Sequence, residues 1–578
     1  MNDIFRYITA ALLIFLVIVL QPIYLEWLGY DVKNNPNING PEPAKSTMPD
    51  IQVGDHGSFS SKKNTAAFNT EEVFTTIVTP LYIATLTNRG GGSFINYTLT
   101  SKKDGDFRYV GSYNDIDELF SPDDPVSLIL NNDKNCNPCL AQFNNTSSEY
   151  YYFNDSFQVL NNVNNNDTIF VDSEPFKLNY SLKSKDGNYL INKSVTFYSE
   201  SYTSDHYYEI NNDIILSENS SNIELLWDGG LRPTEEKQDE DVLYGSGIIS
   251  QSNETDEIQT SDPDEAIERD LFKGNTDWVA IRTKYFISAI ISDFPGQYGV
   301  LSSDNINLGD RIHTPKYITS IGFSNKINQI SSSIYIGPLD VDLLANTNTN
   351  LDASMNWGFA PIKPISKGIL WLLKFMHNKL NLNYGFVLLL FAILVHLVTR
   401  PLTKKSFESS QNMQKFQPQI KKIQAKHKAD PAKLNKETMA LYKKHNINPL
   451  GGCLPILLQM PLLWALFIVF RTTIEFRGAP FMLWITDLSK PDFVLNLPFN
   501  IPVYGNGVAI LPLIMGGTLL LTMRMSSATM DKSQKPVMYF MNGFFILLFN
   551  SFPSGLNLYY TTYNILSYFQ QKQIRAKV

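Results

Sequence analysis

"YGFVLLLFAILVHLVTRPLTKKS", residues 384–406, is the stretch on which the fold turns. Its first twelve residues form an apolar run fit to enter a bilayer, and Lys404–Lys405 closes it as a cytoplasmic border does. Between the two stand ionisable groups. His396 precedes Lys404 by eight residues, so on a helix it lies about 12 Å from the lysine pair, within the hydrocarbon. Arg400 follows one turn later on the same face. An arginine at the middle of a membrane helix costs about 2.5–3.5 kcal/mol on insertion scales, and less near the end, where it snorkels. Taken singly, Arg400 reads as a boundary anchor, and His396 equally as a neutral imidazole hydrogen-bonded between helices or as a functional group. Stacked on one face, they read as the wall of a water-filled notch open to the basic side.

Working outward, the apolar runs are confined to the first ~25 residues and to those after ~380. The whole chain of 578 residues is 43% hydrophobic with a mean hydropathy of −0.14, too polar for a protein that is all membrane. Five spans are expected at about 383–401, 453–470, 508–523, 537–551 and 556–570. Each offers about 14–19 residues, or 21–28 Å of helix, against a hydrocarbon core of ~30 Å. A bundle so short must thin the bilayer or stay wet on one side. The last two spans carry Asn542, Asn550, Asn557, Thr561, Thr562 and Asn564, which suits a hydrated interior or interhelical hydrogen bonding.

The N-terminus has Arg6 and then an apolar run from Ile8 to Leu20, with no small-x-small cleavage site after it. Residues 1–28 are therefore expected to be an uncleaved anchor, giving six spans, with both termini cytoplasmic. A Pro/Asn-rich linker covers 29–55. From 56 to 345, segments such as "VFTTIVTPLYIATLT", "WVAIRTKYFISAII" and "SSSIYIG" alternate in the strand manner, predicting a large antiparallel β domain on the periplasmic side. The acid-rich insert 232–269 is expected to be a loop. Residues 346–382 form a linker and a helix with Ile365, Ile369, Leu372, Leu373, Met376 and Leu380 on one side, suited to the membrane interface or to packing on the β domain.

The five-span core covers 383–571 and includes a helical hairpin at 404–448, joined at "ADPA". That hairpin holds eleven lysines against three acids, in a chain of net charge −8, and the tail 572–578 adds Lys572, Arg575 and Lys577. Basic loops beside apolar helices mark the cytoplasmic side. This accounts for the lysines without specific nucleic-acid recognition. Cys136 and Cys139 form a lone C-x-x-C, read as a local disulfide in a periplasmic domain; no second ligand pair suggests a metal. Cys453, at a helix entrance, reads as a packing residue. No G-x-x-x-x-G-K-[ST] loop occurs, and no cofactor is expected. A membrane-tethered carbohydrate-active enzyme would need a constellation of carboxylates, and a secondary transporter a repeat of spans; the sequence offers neither.

"RPLTKKS" (400–406), "NPLGGCLPILLQMPLLWALF" (448–467), "APFMLWITDLSKPD" (479–492) and "FPSGLNLYY" (552–560), in this order, resemble the YidC family of membrane protein insertases in its Gram-negative form. The resemblance implies a β-supersandwich periplasmic domain and a five-helix core with a lipid-facing hydrophilic groove open to the cytosol. It implies insertion of nascent membrane proteins, alone or beside the SecYEG translocon with SecDF, with the ribosome as a cytoplasmic partner. The family's groove arginine stands five residues before "PLTK", where this chain has His396. Arg400, one turn lower, is a candidate to supply the missing charge. Gln459 and Met460, in "LLQMP", match the helix that lines the groove.

Overall fold

The computed structural model describes residues 71–576 apart from 104, 115–118, 131–135, 145–148, 185–186, 212–219, 309–311, 325, 428–429, 446–453, 502–503 and 528–534. The expected anchor 1–28, the linker 29–55 and Cys453 lie outside the described residues. The rest divides into a β unit, residues 71–357 with 472–478, and a helical unit, 358–471 with 479–576.

In the β unit the two-residue alternation becomes two sheets. The smaller has four strands, in the order Asp167–Phe170, Phe74–Val78, Tyr82–Thr87, Ser93–Leu99, with its first pair parallel. The larger has thirteen strands and is organised around Phe286–Leu308. The first part of that long strand pairs with Gln329–Pro338 and its second part with Ile312–Phe323. Near the change of partner stands Gly296, where a Cβ would come within 2.2 Å of Ile321. The sheets face each other through Phe94, whose ring lies 6.3 Å from Phe197 and 6.5 Å from Trp227. The large β domain expected from the alternation is present, antiparallel but for that one parallel pair.

Two details differ from expectation. The acid-rich insert is built into the sheet: Gln238–Tyr244 is helical, and Ser246–Gln251 is a buried strand between Glu254–Ile258 and Ile267–Arg282. Its acids flank a short apolar strand, so composition over the whole window concealed it. The unit also continues past residue 345, because Trp278 Nε1 donates to Asn350 Oδ1 at 2.6 Å and the Arg282 guanidinium to the Ser354 carbonyl.

Cys136 and Cys139 are joined by a disulfide, fully buried against Ala141 and Leu226. Beside this loop Lys193 is buried to 2% exposure. Its Nζ donates to the carbonyls of Gly90 and Pro138, both at 3.3 Å, and lies 4.9 Å above the Tyr208 ring. Burial pushes this ammonium down from 10.5 to about 7, and the neighbouring His206 is pushed down by its own burial and by Lys193. Below pH 7 both folded and unfolded chains hold the proton, and the folded chain bears the full cost of a buried charge. Between pH 7 and 10.5 the folded amine is neutral while the unfolded one is still charged, so that cost relaxes as pH rises. Lys193→Met is therefore expected to stabilise the β unit most below pH 7. The gain should fade by roughly 1 kcal/mol per pH unit above it, as read by unfolding of the full chain in detergent from pH 6 to 10. A pH-independent gain would contradict this.

The helical unit begins with α1 (Lys363–Leu380), which buries Ile369, Leu370 and Leu373 and leaves Trp371 and Phe375 exposed, their rings stacked at 5.6 Å. Then come α2 (Tyr384–Lys415), α3 (Gln417–Lys426), α4 (Pro431–Lys444), α5 (Leu454–Thr472), α6 (Ile510–Ser527), α7 (Lys535–Phe549) and α8 (Ser554–Ala576). Helices thus occupy all five stretches where spans were expected. Among the described residues, Tyr384–Ser406 has by itself the length and apolarity to cross a membrane; Met460–Thr472 within α5 and Ile510–Thr522 within α6 are further apolar stretches. The basic hairpin is present as α3 and α4, but α2 runs on to Lys415, so the lysine pair prolongs the first span. Asp430, in "ADPA", caps α4 by accepting from Lys433 N at 3.0 Å.

Candidate functional site

The apolar run of α2 ends where Pro401, lacking an N–H, interrupts the helix bonding. One turn above, His396 faces α8: its ring meets Tyr563 edge-on at 5.6 Å and is only 8% exposed. Thr399 Oγ1 lies 3.2 Å from the Tyr563 hydroxyl, and Gln570 Nε2 donates to the Arg400 carbonyl at 3.1 Å. No hydrogen bond joins the imidazole to a described residue, so the interhelical hydrogen bond that a lone histidine suggests is not what holds it. Arg400 is exposed and has no acid within ion-pair distance among the described residues. The pair is thus divided. His396 is tucked against an aromatic ring, and Arg400 stands open.

Met460, on α5, is 46% exposed, with Trp464 one turn further at 49%. Gln459 falls within α5, and its side chain lies outside the described residues. Among the described residues, no hydrogen bond or ring contact joins Met460 to His396 or Arg400.

Sequence reasoning named Asn557, Thr561, Thr562 and Asn564 on the last span but missed the residues there that meet α2. Tyr559, Tyr563, Ser567 and Gln570 recur at three- and four-residue spacing on α8, and Phe391 packs on Tyr559 at 5.7 Å. That spacing was the available signal. Along this helix and its neighbour, several buried polar atoms find no partner among the described residues: both amide atoms of Asn542, Asn557 Oδ1, the hydroxyls of Tyr559, Tyr560, Thr561 and Ser567, and Gln570 Oε1. Each such atom left dry costs about 1–3 kcal/mol. Such atoms suit a stretch that water or other polar groups reach.

Asn550 is a correction to that picture. Instead of facing a wet interior, it accepts from Ala509 N at 2.9 Å and donates to the carbonyls of Tyr504 (2.8 Å) and Gly507 (2.7 Å). It clamps the loop that precedes α6. Beside it, Ser554 Oγ donates to Asp487 O at 2.8 Å and Gly555 N to Leu488 O at 3.0 Å. A Cβ at Gly555 would press on that same carbonyl at 3.1 Å. Asp492 accepts from Trp484 Nε1 at 3.0 Å and from Ile510 N and Leu511 N at 3.1 and 2.8 Å, capping α6. The motifs "APFMLWITDLSKPD" and "FPSGLNLYY" are therefore two halves of one staple.

In the β unit Glu224 is fully buried, accepts from Tyr150, Tyr298 and Ser320 and pairs with Arg269. Its hydrogen-bonding capacity is used within the fold, as expected of a structural carboxylate.

A family model described as "60Kd inner membrane protein" matches residues 375–578, and one described as "YidC periplasmic domain" matches residues 123–372. A "Membrane protein insertase YidC" of Chlorobium phaeovibrioides is 35% identical over 423 residues, covering 70% of this chain and 69% of the relative. Its counterpart in Chlorobium limicola is 36% identical over 367 residues, covering 61% and 60%. Among solved structures, "Active YidC insertase crystal structure with the first transmembrane domain resolved" covers 88% of this chain and 93% of its own, at 17% identity and a TM-score of 0.34.

Proposed function

The chain belongs to the YidC family of membrane protein insertases, and from that premise we propose that it inserts integral inner-membrane proteins and helps them fold and assemble. The core is a membrane-helical unit, and the groove is the space bordered by Arg400, α5 and the polar side of α8. The observation that carries this is the set of buried polar atoms on α7 and α8 without partners among the described residues, next to a helix bearing two ionisable groups.

Moving a hydrophilic flank through a low-dielectric layer is the main barrier to insertion. Water held part-way into a thin bundle shortens the dry path. Arg400, exposed and without an acid in ion-pair distance among the described residues, then holds an acidic flank briefly by a charge-assisted hydrogen bond. The apolar segment leaves along the exposed side chains of α5, Met460 and Trp464, into lipid, drawn by roughly 25 cal/mol per Å² of apolar surface buried. No catalytic step is involved. The lysine-rich hairpin and tail face the cytoplasm with both termini, and meet ribosome and nascent chain by charge; SecYEG and SecDF are the expected partners in the membrane.

A photo-crosslinker at Met460 tests this against a stalled nascent membrane protein. Adducts are expected when the apolar segment has just left the ribosome, and they should vanish when the segment is released. Absence of adducts at every chain length would count against α5 as the exit wall.

A further inference from the structure

Between α5 and α6 the helical unit carries a loop, residues 479–509, whose last part is a two-stranded hairpin of Phe493–Ile501 and Gly505–Ala509. From Phe493 to Met523, through the hairpin and most of α6, there is no Asp, Glu, Lys or Arg. The loop is also unusually apolar outside. Met482 is 49% exposed, Leu483 85%, Val494 48%, Leu495 59% and Phe499 60%. Leu483 is held at φ 64°, a left-handed backbone that bulky residues avoid, with its side chain turned outward. A surface loop in water would carry charges at such positions.

The loop is rigidly presented. Asn550 serves three of the hairpin's backbone groups, Phe493 covers Gly507 so closely that a Cβ there would meet its ring at 2.5 Å, and Asp492 fixes the exit into α6. Pro498 brings no N–H that needs a partner. These features lower the cost of taking strand backbone out of bulk water, although the open edges forbid full entry into hydrocarbon.

Length points the same way for α6. Its apolar part, residues 510–523, is 14 residues ahead of Arg524, or about 21 Å of helix against a hydrocarbon core of ~30 Å. An apolar hairpin joined directly to α6 makes up that depth. We infer that the loop 479–509 is a lipid-binding wedge, its Leu483, Leu495 and Phe499 side chains seated at the headgroup–acyl boundary of the leaflet opposite the lysine-rich hairpin. This rests on the proposed membrane-spanning arrangement of the core.

Nitroxide labels on single cysteines test it in the full chain, with Cys453→Ser and the Cys136–Cys139 disulfide kept, in vesicles of phosphatidylethanolamine and phosphatidylglycerol. Labels go at Leu483, Leu495 and Phe499, with Leu520 on α6 as the lipid reference and Asp256 of the β unit as the aqueous one. Each labelled chain must still insert a substrate. Collision with a polar nickel chelate at Leu483, Leu495 and Phe499 is expected to be roughly tenfold below that at Asp256, with oxygen collision as high as at Leu520. Chelate access equal to that at Asp256 overturns the wedge, and so does exclusion of both reagents, which means the patch is covered by protein. Chelate access at Leu520 as well would instead overturn the spanning arrangement beneath it. Asn506→Cys, exposed in the hairpin, reports the side: an impermeant maleimide should reach it only from the face opposite α3 and α4, and labelling from their face overturns the assignment to that leaflet.

Discussion

Replacing His396 and Arg400 together by leucine is expected to cut insertion of short substrates with acidic translocated flanks to about a tenth of the parental rate, while neutral flanks pass nearly unchanged. A charge-assisted hydrogen bond is worth about 1.5–3 kcal/mol, and 1.4 kcal/mol is a factor of ten. Arg400 should carry most of the effect, because it is the exposed member of the pair. His396, at 8% exposure against Tyr563, is shielded, and its own replacement should cost less. Leucine prolongs the apolar run of α2, so the variant should still enter the membrane, and loss of activity would report on the groove. Reconstituted vesicles and a protease-protection assay measure the rate. Normal insertion of acidic-flank substrates by the double variant would remove the wet notch from the mechanism.

The parts of this molecule that were legible in the sequence are those whose cause is local. The run from Tyr384 announces a span because twelve residues in a row are apolar or small. "ADPA" announces a helix start because the Asp430 carboxylate can reach only the N–H groups of the next turn. The C-x-x-C pair lies within reach of itself. The parts that were not legible depend on partners far along the chain. Asn550 looks like any asparagine in a polar helix until Tyr504, Gly507 and Ala509 are seen around it. The strand Ser246–Gln251 is buried by Arg282-side neighbours that the acids around it do not advertise. Tyr563 becomes a site residue only when α8 is laid against α2. The candidate site was thus half readable: its charges and several polar residues of the last spans stood in the sequence, while the Tyr559–Tyr563 face came from packing.

Arg477 is the most consequential of these distant partners. The segment 472–478 belongs to the β unit, with Ile474 and Phe476 buried in it. From there Arg477 donates Nε to Glu235 Oε1 at 2.8 Å, one terminal nitrogen to Val110 O at 2.7 Å and the other to Thr234 O at 3.0 Å. Its guanidinium also lies 5.4 Å from the centre of the Phe286 ring. Both charged side chains are nearly closed off, at 8% and 3% exposure. Arg477→Leu would strand the Glu235 carboxylate and two carbonyls in a dry site, and a loss of about 3–5 kcal/mol is expected. Lysine should not restore it, since one ammonium cannot satisfy three acceptors laid out for a planar fork. Removing the stranded charge as well, in Arg477→Leu with Glu235→Gln, should recover part of the loss, because the penalty lies mostly in the uncompensated carboxylate. Unfolding of the full chain in detergent, with the single and double variants as a cycle, reads all three. A change below about 1 kcal/mol for Arg477→Leu would mean that water already reaches Glu235, and that the buried fork holds the segment in place without stabilising it.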